Sequence, residues 1–146
     1  MYLNKLIPNY ILSFPIDKIE ISKAILANKL NLKKIIKVVH KEIRKKMKLF
    51  LAKNKNRKVI ILDIPLLLEN KINNKKDILV FVESKKSDIL KRLKKRNNFN
   101  KKLFRKFQNI QLSSTYKKKK SKFVIKNDFT KKTVKKAIRN IIKEII

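Results

Sequence analysis

The sequence predicts an α/β fold, a parallel sheet with flanking helices. Three observations predict it. Short runs of β-branched and leucine residues at 59–62, 78–82 and 123–125 do not alternate with polar residues, the pattern of strands buried on both faces. Longer stretches around them carry apolar residues at three- and four-residue steps, the mark of amphipathic helices. Strands separated by helices along one chain build a parallel sheet.

The elements follow in order. In residues 1–16, Pro8 and Pro15 interrupt regular structure. Asp17 opens a helix, and Glu20 three residues on makes a capping box with Asp as the cap. Ile21, Ala24, Ile25 and Asn28 fall on one side of it. A longer helix begins after Asn31, with Leu32, Ile35, Ile36, Val39, Ile43, Met47 and Phe50 as its apolar stripe and lysines opposite. It ends in the polar stretch 53–58. The strand at 59–62 is followed by a turn and a short helix in 64–76, then by the strand at 78–82. A helix over 84–96 takes Ser87 as its cap and ends at Asn97 and Asn98, and another over 100–113 carries Leu103, Phe104, Phe107 and Ile110. After the third strand, Asn127 and Asp128 turn the chain and Thr130 caps a final helix with Val134, Ala137, Ile138, Ile141, Ile142 and Ile145 on it. No repeat or Pro/Ser-rich linker divides the sequence, so residues 1–146 are expected to form a single domain. Its parts are a helical region 16–56, a sheet core from 57–83 and 122–128, helices over 84–116, and the C-terminal helix 130–146.

Composition narrows the classes. Hydrophobic residues make up 43%, enough for a core, and the absence of cysteine excludes disulfides and thiolate metal sites. No apolar run approaches the ~20 residues of a membrane span and no signal peptide is recognisable, so a soluble, cytoplasmic protein without membrane contact is expected. Lys and Arg number 42 against 10 Asp and Glu, a net charge of +32 that attracts any polyphosphate. The excess is nearly all lysine, accompanied by abundant asparagine and isoleucine, as A/T-rich codons would produce. Compositional drift is therefore preferred, with nucleic acid bound only non-specifically through charge. The alternative function is a basic nucleic-acid-binding protein, built on the lysine run 117–120 and on Phe99, Phe104, Phe107 and Tyr116 as stacking groups. An isoleucine-rich C-terminal helix acting as an interface is a third reading, to which packing on the sheet is preferred.

Ligands of open parallel sheets bind beyond the carboxyl ends of the strands, and Asp63 stands at such an end. There it can accept hydrogen bonds from a substrate while Pro65 stiffens a wall of apolar residues. Equally, Asp63 could cap a short helix that Pro65 starts. The wider string LDIPLLLEN, 62–70, resembles the Asp-Ile-Pro-Leu-Leu-Phe-Glu segment of dephospho-coenzyme A kinases, with Leu68 in place of Phe. Other matches come in the family's order. His40 and Arg44 fit its His-Pro-x-Val-Arg, with Lys41 where proline stands; Arg92 and Arg96 fit its Arg-x-x-x-Arg. Gln111, Lys117 and Asn127 fall on the later Gln, Lys and Asn, with Ser121 and Lys122 replacing Ala-Asp. The resemblance spans about residues 9–146.

The resemblance implies a P-loop NTP hydrolase-like kinase fold and ATP-dependent phosphorylation of the ribose 3′-hydroxyl of dephospho-coenzyme A. Under it Arg92 and Arg96, one helical turn apart on a lid (84–116), grip phosphate. Asp63, Pro65, Leu66, Glu69, His40 and Arg44 belong to the substrate side, and Asn127 to the ATP side near adenine. The bland alternatives are solvated arginines, a structural histidine and a turn asparagine. ATP and Mg²⁺ are the implied cofactors, and no protein-held metal is assigned. The family opens with a strand and a glycine-rich loop that wraps phosphates with backbone N–H groups, but these residues contain no glycine. The expectation is a chain that starts past that strand and loop, a fragment without the principal ATP-phosphate site or an assignable base. Bare strand edges should follow. The oligomeric state is not predicted.

Overall fold

A computed structural model describes residues 3–146. The elements are α1 (Leu3–Leu6), α2 (Lys18–Ala27), α3 (Lys29–Lys53), β1 (Val80–Glu83), α4 (Lys86–Lys94), α5 (Lys101–Ile110), α6 (Ser114–Lys120), β2 (Phe123–Lys126) and α7 (Lys131–Ile145). The class is α/β as the sequence predicts, with β1 and β2 parallel and in register from Val80 opposite Phe123 to Glu83 opposite Lys126. The chain forms two compact units, one from the residues up to Leu62 with Lys101–Phe107, the other from Asp63–Asn100 with Gln108–Ile146.

The first unit is helical. Asp17 caps α2, its carboxylate accepting from the Ile19 N–H at 2.8 Å. The capping box itself does not close. The Asp17 N–H donates to Ser13 Oγ at 3.1 Å, and Glu20 instead accepts from the N–H groups of Leu12 (3.2 Å) and Ser13 (3.1 Å). The loop before the helix folds back within reach of both, so Glu20 ties down that loop rather than its own cap. The long helix starts earlier than expected, because Asn28 and not Asn31 is its cap, accepting from the Leu30 N–H at 2.8 Å. Asn31 lies inside α3, buried, where its amide donates to the Ala24 carbonyl at 3.0 Å and so pairs what burial would otherwise leave unsatisfied. Around it Ile7, Ile11, Ala24, Ile25, Leu32 and Ile35 form the core. Lys106 Nζ closes the C-terminal end of α2 by donating to the carbonyls of Ile25 (2.8 Å) and Leu26 (3.0 Å).

Residues 59–62 are not a strand. Val59 and Ile61 are exposed, Ile61 at 85%, and no strand among the described residues pairs with this segment. A lone extended segment gains no ladder of hydrogen bonds, so its apolar composition alone does not make it a strand.

In the second unit β1 begins at Val80, later than the sequence pattern indicates, and is half-buried on one side only, since Val80 and Val82 are exposed. α7 packs on β2, and Ile125 and Ile72 are buried. Lys118 of α6 reaches Glu83 at the end of β1, Nζ to Oε1 3.1 Å. The cap of α4 is Lys85, without a side-chain hydrogen bond, so Ser87 sits within the first turn and not at the cap. Ser113 caps α6, accepting from the Tyr116 N–H at 3.1 Å. Thr130 caps α7 as expected.

Candidate functional site

The segment after Asp63 is a tight turn. Leu66 takes a left-handed backbone (φ 56°), uncommon for a bulky residue. Its carbonyl then accepts from the Asn70 N–H (3.1 Å) and from the Asn70 side-chain amide (2.8 Å), while the Ile72 N–H donates to the Leu67 carbonyl at 3.0 Å. Asp63 and Pro65 are exposed at the start of this turn and Leu66 is half-buried.

Glu69, on the same turn, is the best-anchored of the candidates. Its carboxylate, 8% exposed, lies 2.6 Å from Lys117 Nζ and accepts from the Leu112 N–H at 3.0 Å. Burial pushes its pKa up. The Lys117 hydrogen bond, the Leu112 N–H and the lysine charge together outweigh burial and hold the carboxyl below the usual carboxylate range. Glu69 thus pins the turn to the α5–α6 junction. Lys117, which the sequence marks without suggesting a role, is its counter-ion.

Arg92 lies in the last turn of α4 and is exposed. Its guanidinium carbon stacks 4.4 Å from the centroid of the Phe129 ring. Phe129 reaches it because its backbone is left-handed (φ 65°) in the turn after β2. Asn127 builds that turn. Its side-chain oxygen accepts from the Phe129 N–H at 2.8 Å, and its own N–H donates to the Glu83 carbonyl at 2.7 Å. Asp128 completes it by accepting from the Thr130 N–H (2.9 Å) and from the hydroxyls of Thr130 (2.8 Å) and Thr133 (2.9 Å). The Thr130 backbone N–H first, and then the two hydroxyls, hold the Asp128 carboxyl below its ordinary pKa.

The structure therefore brings Arg92 to the loop of Asn127, and Glu69 to Lys117. It does not place Arg92 and Arg96 on one helical face. α4 ends at Lys94, and Arg96 follows it, exposed, with its N–H donating to the Leu93 carbonyl at 3.1 Å. Asn97 and Asn98 end the periodic stretch in the sequence, but the helix already stops before them. In the first unit His40, half-buried, and Arg44, exposed, lie one turn apart on one face of α3. Phe129 is the site residue that sequence reasoning missed; its Asn-Asp-Phe-Thr context, a turn followed by a cap, is the signal that could have drawn attention to it. No three His, Cys, Asp or Glu side chains gather to hold a metal ion among the described residues.

Comparison with known proteins adds the family. The family model described as Dephospho-CoA kinase matches residues 15–133. A dephospho-CoA kinase of Wolbachia pipientis wMel is 33% identical over 143 residues, covering 97% of this chain and 73% of that protein. The dephospho-CoA kinase of Wolbachia sp. subsp. Brugia malayi is 32% identical with the same coverage. One from Bacillus cereus is 32% identical over 117 residues, 80% of this chain and 58% of that protein. On a match that takes in most of its length and relatives a third identical along nearly all of it, the chain belongs to the dephospho-CoA kinase family.

Proposed function

We propose that this protein acts as a dephospho-CoA kinase, moving the γ-phosphoryl group of ATP to the ribose 3′-hydroxyl of dephospho-CoA. The family match over residues 15–133 is the observation that carries this. In the reaction the bond from the γ-phosphorus to the β–γ bridging oxygen breaks and ADP leaves, a bond from that phosphorus to the 3′-oxygen forms, and the hydroxyl proton passes to water. Such a transfer asks the protein mainly for positioning and for cations against the spread phosphate charge.

Arg92 and Arg96 are the proposed cations, within the lid-like region 84–116. Arg92 is supported by its geometry, since a guanidinium resting on an aromatic face is oriented before a phosphate arrives. Arg96, just past α4, supplies a second exposed guanidinium on a segment free of helical constraint. Asn127, which shapes the turn carrying Phe129, is the proposed contact on the ATP side. Asp63, Pro65 and Leu66 form the proposed substrate wall, and Glu69 holds it in place through Lys117. In the first unit His40 and Arg44 are proposed to contact dephospho-CoA.

The residues fit ATP in part. A stacked arginine and a buttressed turn suit a nucleotide, while a glycine-rich backbone cradle is not among these residues. No three His, Cys, Asp or Glu gather among the described residues, so a Mg²⁺ ion would be held chiefly by the phosphates of ATP. Soluble nucleotide substrates suit a cytoplasmic protein; among the described residues no helix is long and apolar enough to cross a membrane.

Thermal shift tests substrate recognition. Dephospho-CoA should raise the unfolding midpoint in a concentration-dependent way, as any ligand of the native state does. Pantetheine alone should do so much less. Equal, negligible shifts with both would overturn the proposed substrate.

A further inference from the structure

We propose that an open groove between α6, β2 and α7, distant in sequence from Asp63 and Arg92, binds the backbone of a single-stranded nucleic acid. The groove has a volume of about 530 Å³, and Lys118, Lys126, Lys132 and Lys136 line it above an apolar floor of Val124 and Ala137. All of these residues belong to the second unit. Nothing in the kinase chemistry uses them.

Lysine is abundant everywhere in this chain, so abundance is not the point. What sets this place apart is convergence. Lysines from three elements line one concavity, whereas the lysines of α3 are spread along a single helix. Lys118 is shared with Glu83 at 3.1 Å. Lys126, Lys132 and Lys136 are exposed and take part in no ion pair among the described residues. Asp128 adds one exposed negative charge next to the lining residue Thr133, its oxygens accepting from the hydroxyls of Thr130 and Thr133.

The shape selects the ligand. An open groove suits a chain that passes through it rather than a small anion enclosed by it. Lysines along an open groove suit a phosphate backbone that tracks through it, with Val124 and Ala137 as the apolar surface left for the sugar. Inorganic polyphosphate has the charge but nothing to lay on Val124 and Ala137.

The test measures binding of a fluorescent oligouridine by anisotropy across a salt series. Three proteins are compared, the native chain, K126Q/K132Q/K136Q, and a control, K37Q/K45Q/K48Q, that removes the same charge from the exposed face of α3. The groove variant should bind at least tenfold more weakly at about 0.15 M salt, and its log K against log salt slope should be shallower by about two, since each contact on a single strand contributes roughly 0.7. The control should lose less than threefold. The single groove substitutions, each expected to show a partial loss, serve should the triple variant fold poorly. Equal losses in the groove and control variants would mean diffuse charge attraction and would overturn the proposal. So would displacement of the oligouridine by inorganic polyphosphate at equal phosphate concentration.

Discussion

Glu69, proposed for the substrate side, also carries structural weight through Lys117 and the Leu112 N–H. Its carboxylate is nearly buried, so removing its charge leaves Lys117 and the Leu112 N–H facing a weaker acceptor. Glu69→Gln should cost about 1.5–3 kcal/mol in denaturant unfolding, the range for hydrogen bonds to charged groups. The sign of its pH dependence follows from its lowered pKa. The stabilisation is present above the unfolded-state pKa of a glutamate, about 4.3, and is lost as pH falls through the lower folded value. Unfolding midpoints followed from neutral to acid pH should fall less in E69Q than in the native chain. The Asp63 string was legible because its residues are contiguous. The role of Lys117 was not, because the clamp it completes joins residues as far apart as Leu112 and Glu69, 43 positions along the chain. The same holds for Phe129, because Asn127 and Asp128 announce a turn but not the contact with Arg92, 37 positions away, that its left-handed backbone accompanies. Phe129→Leu should leave the charge of Arg92 in place but loosen it. A rise of several-fold in the KM for ATP with little change in kcat would agree with a positioning role, and an unchanged KM would remove Phe129 from the account.

Helices were easier to read than strands, for a physical reason. A helix bonds within itself, so Asp17 and Thr130 could be recognised as caps from their immediate neighbours. Asp17→Ala should destabilise by about 1 kcal/mol in a denaturant titration, the usual worth of such a cap. Even here the second half of the capping box failed, since Glu20 found Leu12 and Ser13 in a loop whose path the sequence pattern does not specify. A strand exists only with a neighbour. Residues 59–62 and 123–125 look alike as sequences, yet only the latter pairs, and Ile61 stands 85% exposed. Where a strand did form, its core residue matters. Ile125 is 7% exposed, and Ile125→Ala should cost about 2–5 kcal/mol by the usual penalty of emptying a packed site.

At the scale of the whole molecule, charge matters most. A chain at +32 repels itself in the compact state, and salt screens that repulsion. Its unfolding midpoint should rise by several degrees as ionic strength goes from about 0.05 M to about 0.5 M, where the screening length falls well below the size of the molecule. A flat response would mean the lysines are too dispersed to act on one another. The α/β class and the parallel pairing were legible from the order of the elements, while the grouping into two units was not, because Lys101–Phe107 joins residues far upstream of it. The most direct measurement of the central claim is transfer of an isotopically labelled γ-phosphate from ATP to dephospho-CoA, followed by mass spectrometry. The label should appear on the ribose 3′-oxygen, and Arg92→Ala should slow its appearance at least tenfold, equivalent to about 1.4 kcal/mol of transition-state stabilisation. No labelled coenzyme A from a chain that binds dephospho-CoA, or equal rates with and without Arg92, would contradict the account.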